Sequence, residues 1–315
     1  MKTRKLGKNG PELTVVGLGA WAIGGPWQFG WGKVDDDESV KAIQASISNG
    51  INWIDTAAVY GFGHSEEVVG KAVKGMRDKV FIATKCGLLN DGKGSAVNNL
   101  EPKNIRMEIE NSLRRLQTDY IDLYQFHWPD PNTPVEESWA TMIDLKKEGK
   151  VKYVGVSNFD VPLLERCLKI GQVQSLQPPF SMIKREVNEK ILPFCLKNEI
   201  GVVAYSPMQA GLLTGKFDMN KVAQDDWRRR NEFFKEPLFG KALELVEKLR
   251  PIAAKHKRSV ANLAVAWVLK NPVITSAIVG ARTPAQVKEN IAAGDYELTG
   301  EEMILIDSYL KELGL

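Results

Sequence analysis

Short apolar runs alternate with longer helix-period segments along the whole chain, and this alternation limits the fold more than any other feature. Runs at Leu13–Gly19, Ile51–Asp55, Lys79–Lys85, Ile121–His127, Val151–Ser157, Val173–Gln177, Ile200–Tyr205 and Ser276–Val279 read as strands. Between them, residues such as Val40, Ile43 and Ile47, or Ile105, Ile109, Leu113 and Leu116, recur at the spacing of one helical face. Helix starts are marked by Ser65, by Asp160 and by three capping boxes: Thr133-Pro134-x-Glu136, Thr283-Pro284-x-Gln286 and Thr299-x-x-Glu302. Residues 87–101 and 206–237 read as connections without regular structure. Eight strands, each followed by at least one helix, specify an α/β fold with a parallel sheet. In a chain of 315 residues they suit a TIM (β/α)8 barrel. A β-hairpin turned at Asn9-Gly10 is expected to cap the barrel bottom, with extra helices at the C-terminal end. No linker or repeat divides residues 1–315, so a single domain is expected.

The segment Gly17-Leu-Gly-Ala-Trp-Ala22 matches a dinucleotide-binding glycine motif in outline. That motif must open a helix, whereas Gly24-Gly25-Pro26 follow here and Trp27, Phe29 and Trp31 prolong a loop. An aromatic loop walling a pocket is the better reading. The net charge of +3, from 42 basic and 39 acidic residues, gives no reason to expect nucleic acid or an anionic membrane as partner. Cys86, Cys167 and Cys195 lie far apart, and only three histidines occur, so neither a disulfide framework nor a metal site is expected. No run approaches the roughly 18 apolar residues of a membrane span. A cytoplasmic enzyme acting on a small molecule is the natural expectation.

In a TIM barrel the active site lies at the carboxyl ends of the strands. Read in order, those ends carry Asp55 with Tyr60 just beyond, then Lys85, then His127, followed by Ser157-Asn158, Gln177 and Tyr205-Ser206. A lone histidine or lysine at a strand end is usually structural. Four ionisable groups from three successive strands converging on one rim are harder to explain that way. Their chemistry is coherent. A tyrosine near its ordinary pKa of about 10 exchanges protons poorly at neutral pH, and a neighbouring ammonium lowers it. Lys85, held by Asp55, stands where it could play that part for Tyr60.

The chain resembles the aldo-keto reductases over nearly its whole length. The likeness rests on Asp55-Thr-Ala-x-x-Tyr60-Gly-x-Gly-x-Ser-Glu66, Thr84-Lys85, His127-Trp-Pro129, Gly155-Val-Ser-Asn158, Ala204-Tyr-Ser-Pro207 and Gly280-Ala-Arg282 through Glu289-Asn290. The opening from Gly17 to Gly25 points to the prokaryotic oxidoreductase branch. The resemblance implies reversible reduction of aldehydes and ketones by hydride from a nicotinamide cofactor, with Tyr60 as general acid or base, Lys85 and Asp55 beside it, and His127 orienting the carbonyl. It implies that Ser157, Asn158 and Gln177 hold the carboxamide and that Tyr205 stacks on the ring. Ser206, Pro207, Gln209, Gly211 and Lys216 would hold the pyrophosphate, with Ala20 and Trp21 also on the cofactor side. Gly280, Arg282, Thr283, Gln286, Glu289 and Asn290 would form the adenosine end. Arg282, joined by Arg228, favours NADP(H) over NAD(H), although Gln286 stands where many relatives carry a basic residue. Trp21, Trp27, Trp31, Phe62 and Trp128 are candidates for a substrate wall. Two other readings are a cofactor-binding regulatory subunit with little turnover and an isomerase or aldolase using Lys85 as a Schiff base. The first ranks second because such relatives carry N-terminal extensions; nothing supports the other.

Overall fold

The computed structural model describes residues 1–315. The first two strands, β1 (Thr3–Lys5) and β2 (Glu12–Thr14), form an antiparallel hairpin. Its turn places Asn9 at φ 53°, as an Asn-Gly sequence favours. Leu6 and Leu13 from this hairpin pack with Trp53, Ala83, Leu123, Val203 and Ile278 inside the barrel. The hairpin therefore plugs one end. The Trp53 indole N–H donates to the Thr14 carbonyl and to Ser276 Oγ, each at 3.1 Å, so this buried aromatic is satisfied.

Eight parallel strands close the barrel: β3 (Val16–Gly19), β4 (Trp53–Asp55), β5 (Phe81–Cys86), β8 (Ile121–Phe126), β9 (Val151–Ser157), β10 (Ser175–Gln177), β11 (Gly201–Ala204) and β12 (Ile274–Gly280). They neighbour one another in chain order, and β12 returns to pair with β3, aligning Gly280 with Gly19. Helices α1 (Asp36–Ser48), α2 (His64–Ala72), α3 (Pro102–Leu116), α4 (Val135–Lys147), α5 (Val161–Leu168) and α6 (Ile191–Lys197) follow the first six barrel strands. Two helices, α7 (Leu238–Lys255) and α8 (Val260–Lys270), lie between β11 and β12, and α9 (Pro284–Ile291) and α10 (Gly300–Leu313) complete the chain. The helices bury their apolar faces on the outside of the barrel, which is why the strands read as continuous apolar runs. No helix is long and apolar enough to cross a membrane.

The structure corrects several local expectations. Residues 87–101 are not featureless, since β6 (Leu88–Asn90) and β7 (Ala96–Asn98) pair there as an antiparallel hairpin. Its polar tip, Asn90 to Ser95, turns on Asx hydrogen bonds that composition alone reads as loop. The Thr133 box does not form: Pro134 is the N-cap of α4, and the Thr133 hydroxyl donates to Asp130 Oδ2 at 2.7 Å. Ser65 lies within the first turn of α2 rather than at its cap, and its hydroxyl donates to the Ala20 carbonyl. Thr283 does cap α9, but the Gln286 side chain accepts from the Arg282 amide instead of the cap residue's own. Asp160 and the Thr299–Glu302 box behave as read.

The glycine segment that begins in β3 ends in a single 3-10 turn at Trp21–Ile23 and a long loop, so it opens no helix as a dinucleotide motif would.

Candidate active site

The polar residues at the strand ends meet in one hydrogen-bonded system. Lys85 is fully buried, and its ammonium uses all three donors: Asp55 Oδ1 at 2.6 Å, the Thr56 carbonyl at 2.9 Å and the Tyr60 hydroxyl at 3.2 Å. Tyr60 and His127 face each other edge to face, with ring centroids 5.6 Å apart. The local backbone explains how Tyr60 gets there. After β4 the chain makes a tight turn with Gly61, Phe62 and Gly63 all at positive φ. A Cβ on Gly61 would stand 1.9 Å from the Gly24 carbonyl oxygen, so only glycine lets this turn pack beneath the first loop and swing the phenol inward. Phe62 has no such freedom and holds φ 51° as a strained residue beside the site.

The second oxygen of Asp55 accepts from the Gln177 amide at 2.8 Å. From there the network continues around the rim. Ser157 Oγ donates to the Gln177 carbonyl at 2.8 Å, Asn158 Nδ2 donates to Ser157 Oγ and to the His127 carbonyl, and the Tyr205 hydroxyl donates to Asn158 Oδ1 at 2.9 Å. Asn158 sits at φ 62°, a conformation asparagine tolerates better than most residues. Ser157, Asn158, Gln177 and Tyr205 thus bind one another and the backbone of His127, and through Gln177 they fix Asp55. Beneath them, Glu66 accepts from Thr84 Oγ1 at 2.6 Å and pairs with Arg115, bracing the residue before Lys85.

Burial, and then the charge of Asp55, hold the Tyr60 phenol well above its ordinary value. Burial of the phenol acts against the lowering expected from Lys85, because a phenolate there would be poorly solvated. Burial also pushes Lys85 down, opposed by the charge and hydrogen bond of Asp55. His127 is held well below the usual imidazole range by burial and by Lys85, so its ring is neutral near pH 7. The site presents two neutral donors, a phenol and an imidazole, beside a buried ion pair.

The aromatic residues divide into two groups. Trp27 lies 6.0 Å from Tyr60 and 6.3 Å from Phe62 between ring centroids, and forms the wall beside the phenol. Trp21 packs at a tilt against Trp31 and Trp227, with ring centroids 5.5 and 5.4 Å apart. Both Arg228 and Arg282 lie over the Trp31 ring, which places Trp31 with the cations rather than beside Tyr60. Trp128 is exposed. No spacing signal marks Trp227, whose contact with Trp21 joins the loop after β11 to the loop after β3. Arg228 is forked onto Asp226, and Lys216 onto Glu289. Arg282 forms no ion pair. Ser206, Gln209, Ala210 and Gly211 all have positive φ, curling the chain after Pro207 into a tight loop, with Gln209 accepting from Ser181. Ala20 donates its amide to the Asp55 carbonyl, and Asn290 donates to the Gly280 carbonyl at the end of β12.

A closed parallel barrel with this polar constellation at the carboxyl ends of its strands defines a TIM-barrel protein, the class that keeps its active sites at that rim. A family model described as the aldo/keto reductase family matches residues 15–311. The chain is 39% identical to aldo-keto reductase YhdN of Bacillus subtilis (strain 168), over 99% of this chain and 94% of the relative. It is 36% identical to the NADH-specific methylglyoxal reductase of Escherichia coli (strain K12), over 97% of each chain. Among solved structures it is similar to the glycerol dehydrogenase AKR11B4 from Gluconobacter oxydans, with a TM-score of 0.89 and 39% identity, covering 98% of this chain and 95% of that one. The chain belongs to the aldo/keto reductase family, oxidoreductases that act on carbonyl groups with nicotinamide cofactors.

Proposed function

We propose that residues 1–315 form one enzyme unit that reduces small aldehydes and ketones reversibly, with Asp55, Tyr60, Lys85 and His127 as its catalytic residues. The observation that carries this reading is the Lys85 ammonium shared between Asp55 and the Tyr60 hydroxyl. Lys85 donates to the phenol oxygen, so the phenolic proton is left for another acceptor. Burial keeps Tyr60 protonated at neutral pH, the form that delivers a proton to a carbonyl oxygen. Neutral His127 offers a second donor to the same oxygen as negative charge develops there. Trp27 and Phe62 shield this point from water.

The donor set fits a nicotinamide dinucleotide. When bound, its reduced form supplies the hydride. Tyr205 would lie against the ring, with Ser157, Asn158 and Gln177 around the carboxamide. The loop from Ser206 to Gly211 and Lys216 would hold the pyrophosphate. Gly280, Arg282, Thr283, Gln286, Glu289 and Asn290 would surround the adenosine end at the α9 N-terminus, where free amides favour a phosphate. Arg282, free of any carboxylate, supports NADP(H) over NAD(H). Arg228, tied to Asp226, adds less.

Turnover followed at the reduced nicotinamide absorbance, with a panel of aldehydes and ketones, tests the reading. Tyr60→Phe should lower kcat on the order of 10²–10⁴-fold, while cofactor binding, read by tryptophan fluorescence quenching, stays unchanged. Wild-type kcat in Tyr60→Phe would remove Tyr60 as the proton donor.

A further inference from the structure

One buried carboxyl has no part in the chemistry above. Glu108 points inward from α3, is 4% exposed, and accepts the Gly87 amide proton at 2.8 Å. Gly87 follows directly on β5, the strand that carries Lys85. The residue between them, Cys86, accepts the His127 amide proton on its carbonyl at 2.9 Å. Gly87 is pinned on its other sides as well. Its carbonyl accepts from Asn99, its φ of +89° favours glycine, and a Cβ there would stand 2.3 Å from the Leu100 side chain. The peptide linking Lys85 to the His127 backbone is thus tethered from outside the barrel by a single side chain.

We propose that Glu108 is a positioning residue: by holding the Gly87 amide it fixes the end of β5, and with it the spacing of Lys85 and His127. This inference rests on the catalytic assignment above. The charges and titratable groups facing Glu108 are Glu66 from α2, Arg115 from its own helix, Cys86 from β5 and Tyr124 from β8. Burial lifts the carboxyl to about 8, opposed by the Gly87 hydrogen bond and Arg115 and assisted by Glu66. Near pH 7 burial favours the neutral form of the tether. Glutamine reproduces its length, charge and carbonyl oxygen, whereas aspartate falls one methylene short and alanine offers nothing.

The test compares Glu108→Ala, Glu108→Asp and Glu108→Gln in the full chain. The chain has only three histidines, so each imidazole signal can be followed by NMR. His127 should shift in Glu108→Ala and Glu108→Asp and return toward its wild-type position in Glu108→Gln, while His64 and His256 stay fixed. In the same proteins kcat should fall on the order of 10–100-fold in the alanine and aspartate variants, the scale of a displacement near 1 Å. KM should be little changed, and glutamine should recover most of the loss. An unmoved His127 signal in a folded aspartate or alanine variant overturns the proposal, as does a glutamine variant as impaired as alanine. Absence of turnover in wild type would count against the assignment of function, and the His127 shifts would still decide the role of Glu108.

Discussion

Replacing Asp55 by asparagine keeps the shape of the side chain and removes one charge from a buried pair. Unit charges 2.6 Å apart attract by roughly 6 kcal/mol at an effective dielectric of about 20. Much of that offsets desolvation, and removing one member of a buried pair costs about 3–5 kcal/mol. Lys85 keeps the Thr56 carbonyl and the Tyr60 hydroxyl as acceptors, so the lower end, about 3 kcal/mol at pH 7, is expected. The pH dependence sharpens the prediction. Lys85 is already pushed down by burial, with Asp55 as the chief opposing influence. In Asp55→Asn it falls further. Between that lowered value and the ordinary lysine value near 10.4, the unfolded chain binds a proton that the folded chain does not. Stability in that window rises with pH, by up to about 1.4 kcal/mol per unit. In wild type the window is narrower, because the folded value lies nearer the ordinary one. The deficit of Asp55→Asn should therefore shrink from pH 7 to pH 9. Urea unfolding at pH 7, 8 and 9, followed by tryptophan fluorescence and circular dichroism, measures it. A deficit that stays constant or widens with pH would refute the assignment of Lys85 as a cation held by Asp55.

Two further outcomes follow from the same geometry. Arg282→Ala should raise KM for NADPH by about 10-fold or more, as loss of a charge-assisted hydrogen bond does, and leave KM for NADH nearly unchanged; equal effects on both would show that Arg282 does not read a 2′-phosphate. His127, held well below the imidazole range, should remain neutral through mild acid, so kcat for reduction should show no titration near pH 6.5. A limb at that pH that disappears in His127→Gln would mean that the ring carries a proton in the working enzyme.

The chain order of strands and helices was open to reading because each barrel strand buries both faces and each helix only one. That difference in periodicity survives in the sequence. The ends of the strands could be located to within a residue or two, and the rule that barrel chemistry gathers at carboxyl ends then brought Asp55, Lys85 and His127 to one rim. Other features depend on which residues from distant segments meet. The resemblance makes Gln177 a cofactor ligand, yet its amide also locks Asp55, 122 positions away in sequence. Thr133 has the spacing of a capping box, but Asp130 competes for its hydroxyl and wins.

The sequence by itself determined the barrel, the hairpin beneath it and the identity of the groups at its mouth. These follow from periodicity and from residue chemistry, both local properties. Only the tertiary structure decided how those groups are tuned. Whether Lys85 or burial governs Tyr60 is a balance between one Coulomb interaction and the loss of solvent around the phenol, and that loss depends on packing. The joining of Trp227 to Trp21 across two loops, and the reach of Glu108 from α3 to the end of β5, are likewise contacts between segments far apart in the chain. No spacing rule encodes them, because they exist only once the barrel has closed.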